Sequence, residues 1–238
     1  ITQQYLPIGL ESKIPKKPFS VALSLTDKID TLVGFFGINE KPTSSKDPFA
    51  LRRAAIGLLR IIIENKLSIK IRDLIVYSIR LYEEQGVEII NKDTEMEVLD
   101  FLKDRMRNIL KLKNIKIDII EASLSSHTGD NFLDLYKKNI LMNKYINKDV
   151  GINAISSYKR ASNITDKVEK KITGRPDAVL FRTEEEKILF EKINEIRKAF
   201  TVKESNKDYE KLLIRLSETK QFTDNFFDNV VVNDENQD

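Results

Sequence analysis

The chain has 238 residues, of which 41% are hydrophobic and 32% charged, and its 40 basic and 37 acidic side chains leave a formal net charge of +3. This composition can bury a core and is too charged for a membrane-spanning protein. The longest apolar run, AAIGLLRIII, is interrupted by an arginine and is shorter than the roughly 20 residues needed to cross a bilayer. With no cysteine and therefore no disulfide framework, we expect one or two cytoplasmic domains and no membrane partner.

The single histidine, His127, limits the chemistry available to the chain. Without cysteine or a second histidine, zinc sites of Cys or multiple His ligands and cysteine nucleophiles are excluded. A Ser-His-Asp triad would need His127, which lies in SLSSHTGD, a stretch typical of a solvated loop. Both glycine-rich phosphate-loop patterns are also missing. We therefore predict no catalytic residue and no metal site in this chain.

Hydrophobic periodicity predicts helices throughout, so the predicted fold class is all-α. IKIDII, 115–120, alone leaves a strand open as an alternative, because it alternates and is rich in β-branched residues. Capping-box spacing marks two helix starts, Thr94 with Glu97 and Thr183 with Glu186. The predicted helices are 20–36, one starting at Asp47–Pro48, 69–84, 94–110, one from 118, 130–146, 149–170, 183–200 and 206–219. The pattern restarts after NKYINKDVG, which predicts two domains, 1–146 and 147–238.

Basic residues are unevenly distributed along these elements. Residues 43–80 carry eight Lys or Arg against three acids, residues 103–116 six against one, and residues 151–175 six against two. The last 18 residues, 221–238, carry five acids and no base. Such clusters are typical of phosphate-binding faces, although solvated helix faces produce them too.

The helix after Asp47 contains a stripe of arginines. Arg53, Gly57 and Arg60 recur at i, i+4 and i+7 and so share one face, and Lys46 lies just outside the cap. A helix-interior glycine costs about 1 kcal/mol relative to alanine, which indicates that another group approaches the backbone at Gly57. That group is either an RNA backbone or another helix, and helix packing is the favoured interpretation.

The preceding helix carries a pair of acids in TDKIDTLVG. Asp27 and Asp30 share one face of an otherwise apolar helix. They could bind a divalent cation, or they could pair with arginines of the next helix. We favour an ion pair of Asp27 or Asp30 with Arg52, because it satisfies both charges without a missing ligand.

Three segments of the chain resemble the beta subunit of bacterial glycyl-tRNA synthetase. They are DKIDTLVGFFGINEKPTSSKDPFALRRAAIGLLRIIIE, SSYKRASNIT and FTDNFFDNVVVN, in that order. The resemblance implies a degenerate HD-like helical domain without metal-binding histidines, followed by a helical anticodon-binding domain similar to that of arginyl-tRNA synthetase. It further implies a C-terminal fragment that is truncated at both ends.

The same resemblance implies a function in glycine-tRNA ligation. The family ligates glycine to tRNA(Gly) with ATP and Mg²⁺ in a heterotetramer of two alpha and two beta chains, and the adenylate chemistry lies in the alpha chain. This chain alone is then expected to be inactive, to bind no cofactor and to bind tRNA. The expected tRNA contacts are Lys46, Arg53, Arg60, Lys159, Arg160 and Asn163. The alternatives are a helical assembly scaffold and an HD-type metal phosphohydrolase.

Overall fold

A computed structural model describes residues 3–9, 12–126, 129–165, 175–200 and 208–231. Within these ranges the chain forms α-helices and one short 3-10 helix, Ala178–Leu180, with no strand. The all-α prediction is therefore confirmed. The helices are α1 Pro18–Gly37, α2 Leu51–Glu64, α3 Ile71–Glu84, α4 Thr94–Leu112, α5 Ile117–Ser126, α6 Phe132–Tyr145, α7 Asp149–Thr165, α8 Glu184–Phe200 and α9 Tyr209–Asn229.

The start of α2 is capped by Asp47, as expected, but the helix begins later than the sequence indicates. The Asp47 carboxylate accepts hydrogen bonds from the backbone N–H groups of Leu51, at 2.8 Å, and Arg52, at 3.0 Å. Ala50 adopts a left-handed conformation with φ of 54°, so the chain turns once more before the helix starts. Asp47 thereby satisfies two of the free N–H groups at the start of α2.

The two predicted capping boxes have different outcomes. At α8, Thr183 Oγ1 accepts from the Glu186 N–H at 3.3 Å, and the Glu186 carboxylate accepts from the Thr183 N–H at 2.7 Å. At α4 the prediction is wrong, because the Thr94 hydroxyl donates to the Asn91 carbonyl and Glu97 accepts from Lys41 and Asn91 instead. The two sequences have the same spacing, so the other hydrogen-bond partners that the fold supplies decide whether the capping box forms.

The ambiguous stretch around residue 118 is helical. α5 buries Ile119, Ile120 and Leu124 along one side, which is helical rather than alternating spacing. Arg107 of α4 holds Glu121 of α5 through two hydrogen bonds, Nε to Oε1 at 2.7 Å and Nη2 to Oε2 at 3.1 Å. These long-range contacts override the β-propensity of the segment.

The chain separates into two compact units, unit 1, Ile1–Ile140, and unit 2, Leu141–Asp238. In unit 1, α1 packs on α2, α3 and α4, while α4 also packs on α2, α3 and α5. In unit 2, α9 packs on both α7 and α8. The division falls inside α6, and the predicted domain limits, 1–146 and 147–238, stay a prediction.

Aliphatic side chains from all the early helices form the core of unit 1. Leu32, Leu58, Leu59, Ile62 and Leu102 have no exposed surface at all. In unit 2, Leu212 is the one large apolar side chain in the described residues that is buried to a comparable degree. No helix in the described part of the chain is long and apolar enough to span a membrane.

Candidate nucleic-acid interface

Two of the predicted phosphate contacts, Lys46 and Arg53, lie exposed near the start of α2. Neither side chain forms an ion pair with any described residue. Arg53 lines a small depression of about 30 Å³ together with Pro7, Gly9 and Gly57. An exposed cation without an internal partner keeps its full charge for a phosphate, so these two positions retain the expected chemistry.

Arg60, on the same stripe, has a different environment. Its Nη1 donates to the Gly9 carbonyl at 2.6 Å, its Nη2 to the Ser12 carbonyl at 2.8 Å, and its Nε to Glu64 at 2.8 Å. The side chain is only 13% exposed. Arg60 thus uses three of its five N–H donors, two of them to fasten the N-terminal segment to α2, and a phosphate contact at this residue stays a prediction.

Arg52 also has a different partner from the one expected. Its guanidinium donates to the carbonyl oxygen of Thr43, and among the described residues it forms no ion pair with Asp27 or Asp30. The extra turn at Ala50 and the cap by Asp47 point Arg52 back toward the 43–47 loop. The expected ion pair of Arg52 with Asp27 or Asp30 is therefore not formed among the described residues.

One of the two acids of α1 has a neighbour in α3. Asp30 lies beside Tyr82 of α3, whose hydroxyl donates to the Asp30 carbonyl at 3.2 Å. Burial, together with the nearby Asp30 carboxylate, raises the pKa of Tyr82 to about 12. Among the described residues, no three or more His, Cys, Asp or Glu side chains come together as metal ligands do, and His127 lies outside the described residues.

Gly57 makes room for a lysine stem. A Cβ at this position would lie 2.8 Å from Cε and 3.3 Å from Cδ of Lys28 in α1. Lys28 is 5% exposed, and its Nζ donates to Ser24 Oγ at 2.9 Å. Burial lowers the pKa of Lys28, while the nearby Asp27 charge partly opposes that shift. The favoured interpretation, close packing of helices at Gly57, is what the structure shows.

The predicted residues of α7 come together at a surface groove in unit 2. Lys159, Arg160 and Asn163 line it, and its volume is about 510 Å³. Lys159 and Asn163 are exposed, and adjacent Tyr158 is 71% exposed. The remaining lining residues are Ile146, Ile152, Ile155 and Ser156. The groove therefore has an apolar end and a polar, basic end along one helix face.

Arg160 lines this groove, but its guanidinium is held by acids of α9. Its Nη1 donates to Asp224 at 2.8 Å and its Nη2 donates to Asp228 at 2.6 Å, both on α9. The guanidinium also lies 5.2 Å from the ring centroid of Phe227. As with Arg60, the guanidinium that sequence analysis assigned to tRNA has internal partners.

Two features of these sites were not expected from the sequence, the apolar part of the groove and the buried lysine. Ile146 reaches the groove because the turn between α6 and α7 is tight: a Cβ on Gly151 would lie 2.2 Å from the Tyr145 carbonyl oxygen. The glycine was a visible signal for such a close approach. Lys28 offered a similar signal, since it interrupts the apolar face of its helix.

These features define a class: a helical protein whose exposed cations lie on two separate units and whose described part lacks a grouped set of metal-ligating side chains. The family model for the glycyl-tRNA synthetase beta subunit matches residues 1–125, and the model for the DALR anticodon binding domain matches residues 154–238. The chain belongs to the glycyl-tRNA synthetase beta subunit family.

Curated relatives match along almost the whole chain. The glycine–tRNA ligase beta subunit of Rickettsia canadensis (strain McKiel) is 41% identical over 234 residues, which is 98% of this chain and 34% of the relative. The corresponding subunit of Rickettsia africae (strain ESF-5) is 40% identical over 234 residues, and that of Rickettsia prowazekii (strain Madrid E) 39% over 235, in each case 98% of this chain and 33% of the relative. The chain thus spans about a third of the length of the curated relatives it matches.

Proposed function

We propose that this chain is the tRNA-binding part of a glycine–tRNA ligase beta subunit. The observation that carries the proposal is the pair of family matches, a synthetase beta subunit over 1–125 and an anticodon-binding domain over 154–238. Exposed cations in both matched regions, Lys46, Arg53 and Lys159, support it. A tRNA ligase works where tRNA is, so the proposal puts the protein in the cytoplasm.

In this proposal the two units contribute differently to tRNA binding. Lys46 and Arg53 would contact phosphates, which supply affinity and salt sensitivity without reading sequence. The α7 face would meet unstacked anticodon bases, because Tyr158 can stack on a base while Lys159 and Asn163 donate hydrogen bonds. Arg60 and Arg160 support these surfaces from inside the fold and are not proposed as contacts.

The chemistry of ligation would belong to the complete enzyme. We propose that this chain acts with an alpha subunit, as two alpha and two beta chains, and that the alpha chain uses ATP and Mg²⁺ to activate glycine. The described residues of this chain do not fit a multi-ligand metal site, since they contain no grouped set of His, Cys, Asp or Glu. No step of the reaction is therefore assigned to this chain.

The test is binding of the 238-residue chain to tRNA(Gly) and to a non-cognate tRNA across a salt series. We expect the Lys46→Ala, Arg53→Ala double variant to weaken binding and to reduce the log-log salt slope by about two, roughly one per lost phosphate contact. The matched control is Arg80→Ala, an exposed arginine of unit 1 that already pairs with Glu84. Equal losses in the control and in the double variant would contradict the assignment of these two residues.

A helical assembly scaffold is the second candidate, and one observation favours it. α3 exposes Leu74, Val76 and Tyr77, at 36%, 46% and 52%, although it lies in the well-packed unit. Exposed tyrosine and aliphatic side chains are common where proteins associate. If the chain is only a scaffold, it binds no tRNA at low salt, and Tyr77→Ala weakens association with the alpha subunit.

A further inference from the structure

The arginine that lines the α7 groove also joins α7 to α9. Arg160 spreads its two terminal nitrogens over two carboxylates that lie one helical turn apart, Asp224 and Asp228. Its guanidinium carbon lies over the Phe227 ring, 5.2 Å from the ring centroid. Planar guanidinium groups suit such two-point contacts, and a lysine cannot reproduce them because its charge is concentrated at one point.

The local charge does not suit a phosphate contact at Arg160. Lys220 also pairs with Asp224, so the cluster of Arg160, Lys220, Asp224 and Asp228 is neutral as a whole. A phosphate approaching Arg160 would meet the carboxylate of Asp228, whose side chain is 63% exposed. The negative charges of the phosphate and of the Asp228 carboxylate would repel each other. The positive charge of Arg160 is already neutralised by its acidic partners.

The packing of unit 2 gives this cluster a mechanical role. Ser157, Thr219 and Thr223 are the buried side chains along the helices α7 and α9, besides Leu212, in the part of unit 2 that the structure describes. Hydrophobic contact is non-directional, and hydroxyl groups supply little of it. Arg160 therefore adds two directional contacts between α7 and α9.

We propose that Arg160 is a positioning residue: by holding Asp224 and Asp228 it orients α7 so that Tyr158, Lys159 and Asn163 face the tRNA. This inference rests on the proposed function of the α7 face. Lys159 and Asn163 are four residues apart and therefore point only about 40° apart around the helix, so a small rotation of α7 displaces both together. Arg160 thus affects tRNA affinity through the orientation of α7 and does not contact the tRNA itself.

Removing a carboxylate of α9 distinguishes the two roles of Arg160, because positioning and phosphate contact predict opposite changes in tRNA affinity. Asp228→Asn removes one anchor and one negative charge. If Arg160 positions α7, this variant binds tRNA(Gly) several-fold more weakly with an unchanged salt slope. If Arg160 contacts phosphate, it binds more tightly, because a competing acid has gone. The matched control is Glu218→Gln, which neutralises an exposed acid of the same helix outside the cluster.

A swap of the two charges sharpens the same test. Arg160→Asp alone is expected to lose tRNA affinity, and Arg160→Asp combined with Asp228→Arg is expected to recover part of that loss, since the α7–α9 link is restored with reversed polarity. Arg160→Lys is expected to behave like the single loss rather than like the unchanged chain. Tighter binding by Asp228→Asn, or absence of recovery in the swap, overturns the proposal.

The position of α7 can also be measured without tRNA. The chain has no cysteine, so Ala161→Cys with Gln221→Cys gives two unique sites for spin labels on exposed positions of α7 and α9. The proposal expects the distance distribution between these labels to broaden in Arg160→Lys and to stay narrow in Glu218→Gln. An unchanged distribution overturns it. If the unchanged chain binds no tRNA at low salt, the proposed function fails, while the label distances still decide whether Arg160 positions α7.

Discussion

Unit 1 packs its helices on a core of aliphatic side chains, whereas the described part of unit 2 buries far fewer large apolar side chains and links its helices through several ion pairs. Leu58, Leu59 and Leu102 are fully buried in unit 1. In unit 2, Arg160 and Lys220 hold the acids of α9, and Lys144 and Tyr145 hold Glu210. A close-packed hydrophobic core resists local rearrangement, because the shift of one side chain disturbs its neighbours. Each partly exposed ion pair contributes little to the free energy of unfolding, and its contribution depends on how well the two charged groups are aligned. Unit 2 therefore depends more than unit 1 on a few directional contacts.

The largest expected effect is a cavity in unit 1. Leu59→Ala should lower the free energy of unfolding by about 3 kcal/mol, since a fully buried leucine leaves a void that its neighbours fill only partly. Leu212→Ala in unit 2 should cost about 2 kcal/mol or less, because Leu212 is slightly exposed and belongs to a smaller buried apolar core. Urea unfolding, with hydrogen exchange followed separately in the two units, measures both; a larger loss from Leu212→Ala would reverse the comparison.

The next effect is a steric one in unit 2. Gly151→Ala places a methyl group 2.2 Å from the Tyr145 carbonyl oxygen, so the turn between α6 and α7 must open. We expect a loss of about 2 kcal/mol, typical of overpacking against a backbone. The control is Gly9→Ala, where a new Cβ would have no neighbour within 4 Å. Thermal unfolding measures both variants, and equal stability of Gly151→Ala and the unchanged chain would show that the turn opens freely.

Two arginines of α2 should show crossed phenotypes. Arg60→Ala should cost about 1 to 2 kcal/mol, because three hydrogen bonds are lost and two carbonyl groups of the N-terminal segment lose their partner. Arg53→Ala should change stability by less than about 0.5 kcal/mol, as exposed residues without partners usually do, and should weaken tRNA binding. Chemical denaturation and tRNA titration are measured side by side. The same phenotype in both variants would contradict the division into a supporting and a contacting arginine.

The smallest expected effect depends on pH and concerns Lys28. Because its folded pKa is lowered, the unfolded chain holds this proton more tightly, and stability from this group rises as the pH increases through the folded pKa toward the unfolded one. Lys28→Met should therefore stabilise the chain near pH 7, and its advantage should shrink toward pH 10. Unfolding by urea at the two pH values measures the difference. An advantage that grows with pH would mean that the buried charge is favoured in the fold.

The sequence predicted the helices well because their signals are local. Periodicity located the helices, although α9 runs to Asn229, ten residues beyond its predicted end, and the predicted stretch 166–170 lies outside the described residues. The Asp47 cap and the Thr183–Glu186 box are formed in the structure. Errors came where a distant residue competed for the same group. Glu97 is engaged by Lys41 and Asn91 instead of the Thr94 backbone, and the β-branched run at residue 118 became helical against α4.

The assignment of arginines was less predictable from sequence. Arg53 and Arg60 lie on the same stripe of α2, yet Arg53 forms no ion pair with any described residue, whereas Arg60 holds carbonyl groups 48 and 51 residues away. Lys159 and Arg160 are neighbours in α7, yet Arg160 pairs with acids 64 and 68 residues away. Helical spacing says which residues share a face, but it does not say which face meets another element.

The sequence by itself determined the helical class, the absence of cysteine chemistry and membership of the glycyl-tRNA synthetase beta subunit family, because periodicity, composition and motif order are all properties of the chain as written. Only the tertiary structure decided which cations remain free for a ligand. A guanidinium is satisfied by whatever acceptors the fold brings within hydrogen-bond distance, and at Arg60 and Arg160 those acceptors come from distant parts of the chain.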